Sequence, residues 1–447
     1  MKTLITSLCA SMIFVVNSQP CTATAVPASV QAVLSDSAVV VEVYSVNHKR
    51  IGHGSGVIVS PSEVITNCHV LRRGRHYRVR YRAEDHQGEL LYADVARDLC
   101  SIQVRSLGGI PAKLGSTAAV REGDSVYTVA APKIPELVIH SGKVEALRET
   151  SNGFYIRTSA FASTGSSGGG VFTAEGKLIG IIAFGPTASR EREEVQPRTF
   201  APPVEWIELI PRRSVGTKLY TTRTQYDYMT IIDDLKAKMK WQELIAFSDG
   251  WLSTQPDYPA TWIANNAKAY SMFEMGKLLQ ALATYQKVVA IEPLDDSAWN
   301  NMGNVHAALM QYDVAIISYE RAAALSTAPK ATAATYANIG IVYNRKGETD
   351  SARKAYEHAV RLNPDAAEAL RNLGIAWTQL GNPAAGLPFI ERAIKITPYD
   401  PQAWLGLALA HHIRGDQQGC AKALKRLQEL SPELANKSSQ ALSCKTK

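Results

Sequence analysis

The chain has 447 residues, too many for one ordinary hydrophobic core, so two or three domains are expected. Hydrophobic residues make up 46% and charged residues 20%, a balance that excludes a disordered chain. The net charge of +7 is spread along the length, and no basic cluster interleaves with aromatics, which argues against a nucleic-acid groove.

At the N-terminus, Lys2 precedes an apolar run from Leu4 to Val16, and Ala23-Thr24-Ala25 follows. This is the pattern of a secretory signal peptide, with cleavage expected after Ala25. The run is too short to cross a bilayer and no later stretch is long enough, so the expected mature chain is periplasmic or secreted, without a membrane anchor. Cleavage leaves Cys68, Cys100, Cys420 and Cys444. No C-x-x-C pair or His/Cys spacing fits a zinc site, and neither metal nor cofactor is expected.

From Val39 onward, short β-branched runs alternate with turn residues at 39–43, 57–59, 64–66, 77–81, 101–104, 126–129, 154–157 and 178–182. Strands this short and evenly spaced predict an all-β barrel or sandwich. His69 falls just past the third run, in Thr66-Asn67-Cys68-His69-Val70. Asp98 stands at the head of another, where a buried carboxylate needs a partner. The stretch Ser163-Thr164-Gly165-Ser166-Ser167-Gly168-Gly169-Gly170 reads as a tight turn opening into a hairpin of buried strands. There the amides of Gly165 and Ser167 can converge beside the Ser167 hydroxyl, which is what a tetrahedral oxyanion requires. A flexible Ser/Gly linker is the other reading of the same residues.

The order His69, Asp98, Ser167 is that of the chymotrypsin-type triad. The motifs at 66–70, 98–102 and 165–169 make residues 30–212 similar to trypsin-like serine proteases of the compact HtrA/Deg type. The resemblance implies two six-stranded β-barrels with the site in the cleft between them. It makes His69 general base and then acid, Asp98 the group that fixes its tautomer, and Ser167 the nucleophile. The oxyanion hole would be the amides of Gly165 and Ser167. Phe161 and Ala162 would form the base of the pocket for the residue before the cut, and Ile182, Ala183 and Phe184 the edge that pairs with substrate. With no acid at the pocket base, a small or medium apolar residue is the expected preference. Cys68 adjoins His69 and Cys100 follows Asp98 closely; two small residues packing without a bond is the expectation, and a bridge the alternative.

From about Tyr226 the period becomes helical. Ala281, Ala315, Ala352, Gly386 and Cys420 recur every 34 residues, apart from one three-residue insertion near Lys330. Residues 223–436 resemble the tetratricopeptide repeat, paired helices with small residues where they cross. Such an array presents a groove for a protein partner. Asn301, Asn338 and Asn372 share one repeat position on the groove helix, with Asn304 one turn on, and are candidates for holding a peptide backbone; Asn is also common there in the repeat. The expected order is a signal peptide at 1–25, a trypsin-like domain at 26–212, a linker at 213–222, the helical array at 223–436 and a tail at 437–447. The expected activity is serine endopeptidase, acting on a protein or peptide that the array recruits. The alternatives are an inactive binding scaffold and a chaperone-like module.

Overall fold

The computed structural model describes residues 26–134, 136–150, 152–163, 165–183, 199–210, 223–254, 260–439, 442 and 444. The expected signal peptide, the 213–222 linker and Phe184 lie outside the described residues. The first six strands are β1 (Ala38–Tyr44), β2 (Arg50–Ser60), β3 (Glu63–Thr66), β4 (His76–Tyr81), β5 (Glu84–Asp94) and β6 (Leu99–Val104). They close into a barrel in the order β1-β2-β3-β6-β5-β4. Its interior is filled by Val39, Val41, Ile58, Val64, Val79 and Ile102, the β-branched residues that marked the strands in sequence.

The next six are β7 (Ser125–Lys133), β8 (Glu136–Glu149), β9 (Phe154–Thr158), β10 (Gly170–Thr173), β11 (Leu178–Ile181) and β12 (Thr199–Ala201). Their order is β11-β10-β7-β8-β9-β12. The two ends of this sheet meet where Ile181 N–H donates to the Pro202 carbonyl and Ala183 N–H to that of Phe200, both at 3.1 Å. The hairpin expected after the serine-rich turn is β10–β11, with Gly170 opposite Ile181. Strands β5 and β8 carry no continuous β-branched run. Each leaves much of one face exposed or half-buried, so half-polar sequences such as Glu84-Asp85-His86-Gln87 still form strands.

The C-terminal part is helical. Helices Gln225–Ala237, Trp241–Thr254, Thr261–Glu274, Leu278–Ile291, Asp296–Ala308, Tyr312–Leu325, Pro329–Arg345, Thr349–Leu362, Ala367–Gln379, Pro383–Ile396, Pro401–Arg414 and Gln417–Leu430 pair in sequence, and Pro432–Ser439 follows. The insertion near Lys330 lengthens one helix, Pro329–Arg345, to 17 residues. Glycine in the repeat is a packing requirement. A Cβ at Gly303 would lie 2.7 Å from the Tyr319 ring, and one at Gly340 would strike the Tyr356 ring.

The array packs directly on the β domain. Met229 and Ala260 share one buried cluster with Phe200, Trp206 and Ile210, and Trp262 packs against it. The Trp262 and Phe200 rings are 6.0 Å apart. Arg72 pairs with Asp227, and Arg148 and Arg157 both pair with Glu292. The array is thus docked on the β domain through both apolar and charged contacts.

Candidate active site

Strand β3 ends at Thr66, and His69 lies in the short helix Cys68–Leu71 that follows. Asp98 precedes β6, the strand paired with β3, so sheet register alone brings the two side chains together. The Asp98 Oδ2 lies 2.6 Å from His69 Nδ1, and its Oδ1 accepts the His69 backbone N–H at 2.9 Å. Asp98 is 2% exposed and adopts φ 58°, an uncommon conformation for a residue other than glycine. The Asp98 carbonyl accepts the Asn67 side-chain amide at 2.9 Å and the Cys68 N–H at 3.3 Å, which holds that conformation. With a proton on Nδ1, the carboxylate favours the tautomer in which Nε2 carries the lone pair of a base.

The two cysteines beside this pair are joined. Cys68 and Cys100 form a disulfide with Cα atoms 4.9 Å apart, contrary to the expectation of unbonded packing. Thr66 opposes Cys100 in the β3–β6 ladder, and the turn into the short helix brings Cys68 back over that pair. Cys420 and Cys444 are bonded as well. A ring nitrogen of His412 and those two sulfurs form the one group of three metal-ligating residues within 4.8 Å among the described residues. The bond leaves no thiolate there to hold an ion.

Ser167 lies between Gly165 at φ 92° and Gly168 at φ 88°. Ser55 on β2 fastens this loop to the first barrel. Its N–H donates to the Ser167 carbonyl at 2.8 Å, and its hydroxyl donates to the Gly165 carbonyl at 2.9 Å. The same hydroxyl accepts Ala131 N–H at 2.8 Å, and the Ser55 carbonyl accepts Thr66 Oγ1 at 2.7 Å. These bonds fix the peptide units that follow Gly165 and Ser167, whose own N–H groups, those of Ser166 and Gly168, donate to the Ser163 carbonyl at 2.9 Å and the Ile182 carbonyl at 2.8 Å. Neither the Gly165 nor the Ser167 N–H donates to an acceptor among the described residues. Motif reading gave no role to Ser55 or to the Thr66 hydroxyl, which together brace this loop against the first barrel. The signal in the sequence was the Gly54-Ser55-Gly56 segment at the head of the β-branched run at 57–59.

Phe161 is 37% exposed, and its ring stands edge-on to His140 with centroids 5.1 Å apart. Burial lowers the His140 imidazole below its ordinary pKa, which favours the neutral ring. Ala162, Ile182 and Ala183 are buried nearby. The Ile182 N–H and carbonyl are already bonded to Gly169 and Gly168, and Ala183 N–H to Phe200. Among the described residues, no backbone N–H donates to the Ala183 carbonyl.

Residues 54–181 match the trypsin-like peptidase domain, and residues 295–365 and 338–401 match tetratricopeptide repeats. The chain joins a trypsin-like peptidase domain to tetratricopeptide repeats. The peptidase domain is 28% identical over 162 residues to the mitochondrial serine protease HTRA2 of Bos taurus, spanning 32% of this chain and 35% of that protein. It is 27% identical over 188 residues to the anti-sigma-I factor RsgI9 of Acetivibrio thermocellus, spanning 41% and 26%. Among solved structures, the HtrA-type protease AlgW with tripeptide is 22% identical with a TM-score of 0.35, over 40% of this chain and 59% of that one. The chain thus spans from about a quarter to a half of the length of such curated relatives.

The expected groove asparagines are all half-buried on the first helices of their repeats. The Tyr319 hydroxyl donates to Asn304 Oδ1 at 2.7 Å, Asn338 Nδ2 donates to Asn300 Oδ1 at 3.3 Å, and Arg371 Nε donates to Asn372 Oδ1 at 3.1 Å. Much of their hydrogen-bonding capacity thus serves the array itself. Asn372 also lines a pocket of about 360 Å³ with Asn344, Arg345, Glu368 and Arg371.

Proposed function

We propose that the chain is an exported serine endopeptidase whose helical array recruits its protein substrate. The observations that support the reading are the His69–Asp98 pair at 2.6 Å and a loop whose Gly165 and Ser167 amides donate to no acceptor among the described residues. In this mechanism His69 Nε2 takes the Ser167 proton as Oγ attacks the scissile carbonyl. The two amides bind the resulting oxyanion, and His69 then protonates the leaving amine. Water, activated by the same histidine, releases the acyl group. Export is supported by the leader pattern from Lys2 to Ala25 and by two disulfide pairings, which persist in oxidising compartments. Recruitment is supported by the polar pocket around Asn372 and Arg345.

The test is hydrolysis of unfolded casein by the purified full chain beside its Ser167→Ala variant. Cleavage by the wild type alone is expected. Equal casein turnover by both proteins, or none by either, would overturn the peptidase reading.

A further inference from the structure

Glu292 follows helix Leu278–Ile291 and is 2% exposed. A carboxylate so placed is tolerated only with partners, and both of its partners come from the peptidase domain. Its Oε1 accepts Arg157 Nη1 at 2.8 Å, and its Oε2 accepts Arg148. The Arg157 side chain, 5% exposed, also donates through Nε to Glu145 at 2.9 Å.

Arg157 lies on β9, directly opposite Phe200 on β12. The array thus grips one cross-strand pair twice, through Glu292 on Arg157 and through Trp262 on Phe200. Both strands lead into the expected substrate pocket. Thr199 Oγ1, beside Phe200, holds the Ala160 carbonyl at 2.6 Å, and Thr158 Oγ1, beside Arg157, accepts the Ala160 N–H at 3.0 Å. The Phe200 carbonyl holds Ala183 N–H at 3.1 Å. Ala160, which leads into Phe161 and Ala162, and Ala183 are therefore fastened to the strands that the array clamps.

We propose that Glu292 is a positioning residue for the peptidase: through Arg157 it sets the β9–β12 pair and hence the walls of the pocket for the residue before the cut. The helical array is then a structural part of the catalytic unit as well as its recruiting surface. This inference rests on the peptidase reading for its kinetics, but its structural half stands apart. Removing the carboxylate leaves Arg157 with Glu145 alone, a weaker anchor at the barrel's edge. The triad and the Ser55 struts lie elsewhere and keep their geometry.

The experiment uses the full chain with Glu292→Gln, and Trp262→Leu to loosen the second grip with no change of charge. Three readouts are taken: kcat and KM on peptides differing only before the cut, labelling of Ser167 by a small alkyl fluorophosphonate, and hydrogen exchange of residues 154–162. Each variant should lose about tenfold in kcat/KM and flatten the preference among peptides, while labelling stays near wild type. Exchange at 154–162 should rise in each. Arg392→Gln, which removes an exposed pair with Asp365 inside the array, should change none of these. Folded variants with wild-type selectivity and unchanged exchange would overturn the proposal. If Glu292→Gln does not fold, Trp262→Leu decides it on the same readouts. If the wild type neither cleaves nor labels, the peptidase reading falls, and the exchange measurement alone judges the positioning of β9.

Discussion

Replacing Gly165 with alanine tests the proposed oxyanion hole. Gly165 has φ 92°, and a Cβ there would lie 2.7 Å from the Pro132 carbonyl and 2.8 Å from His53 Nε2. The histidine can swing aside, but the Pro132 carbonyl belongs to β7 and cannot, so the loop must shift and carry the Gly165 N–H off its aim. Gly123 is the control, because it has the same φ of 92° with nothing within 4 Å of its Cβ position. Alanine at either site incurs left-handed strain of roughly 1–2 kcal/mol. Only Gly165→Ala also misplaces an oxyanion donor, a loss of about 10²–10³ in kcat, or about 3–4 kcal/mol. The assay is steady-state hydrolysis of a short peptide ester, with thermal unfolding measured in parallel. Gly123→Ala should keep wild-type kcat at a reduced Tm, and Gly165→Ala should lose at least a hundredfold. Equal kcat in the two variants would refute the assignment of Gly165.

The Cys68–Cys100 bridge spans a sequence separation of 32, so Cys68→Ala with Cys100→Ala should cost about 3–4 kcal/mol in denaturant unfolding. Thiol titration of the denatured, unreduced protein should find both cysteines blocked; reactive thiols at 68 and 100 would contradict the bridge. In the array, Gly340→Ala drives a methyl into the Tyr356 ring and should lower the helical unfolding temperature, at an overpacking cost of about 1–3 kcal/mol. Gly250→Ala, in helix Trp241–Thr254 with open space around it, should instead stabilise by about 0.5–1 kcal/mol. His140 has a lowered pKa in the folded chain, so its contribution is complete above the unfolded value near 6.5 and is lost as pH falls through the lower folded value. Stability of the wild type should therefore fall more steeply with acid than that of His140→Gln, and identical profiles would contradict the burial of that ring.

What could be read in the sequence was local. The motifs around His69, Asp98 and Ser167 each lie on a strand end or a turn, and strand pairing alone carries Asp98 to His69. The repeat was legible because glycine at 303 and 340 and tyrosine at 319 and 356 are two sides of one packing contact at a fixed spacing. Strands β5 and β8 were not, because a half-exposed strand has no continuous β-branched run. Ser55 was hidden in plain view: its partners at Gly165 and Ser167 lie more than a hundred residues along the chain. Glu292 was hidden for the same reason, since a carboxylate after a repeat helix reads as solvated until its partners 135 and 144 residues away are known. Contacts of that range leave no period behind, and the docking of the two domains is made of them.

The most direct test of the central claim is covalent labelling of the full-length protein by a fluorophosphonate, read by peptide mass spectrometry. An activated hydroxyl held between His69 and the Gly165 and Ser167 amides should be modified at Ser167 and at no other serine. His69→Ala and Ser167→Ala should each abolish both the label and peptide hydrolysis, with the double variant losing little more because the groups act as a unit. Labelling at a different serine, or full turnover by Ser167→Ala, would contradict the account.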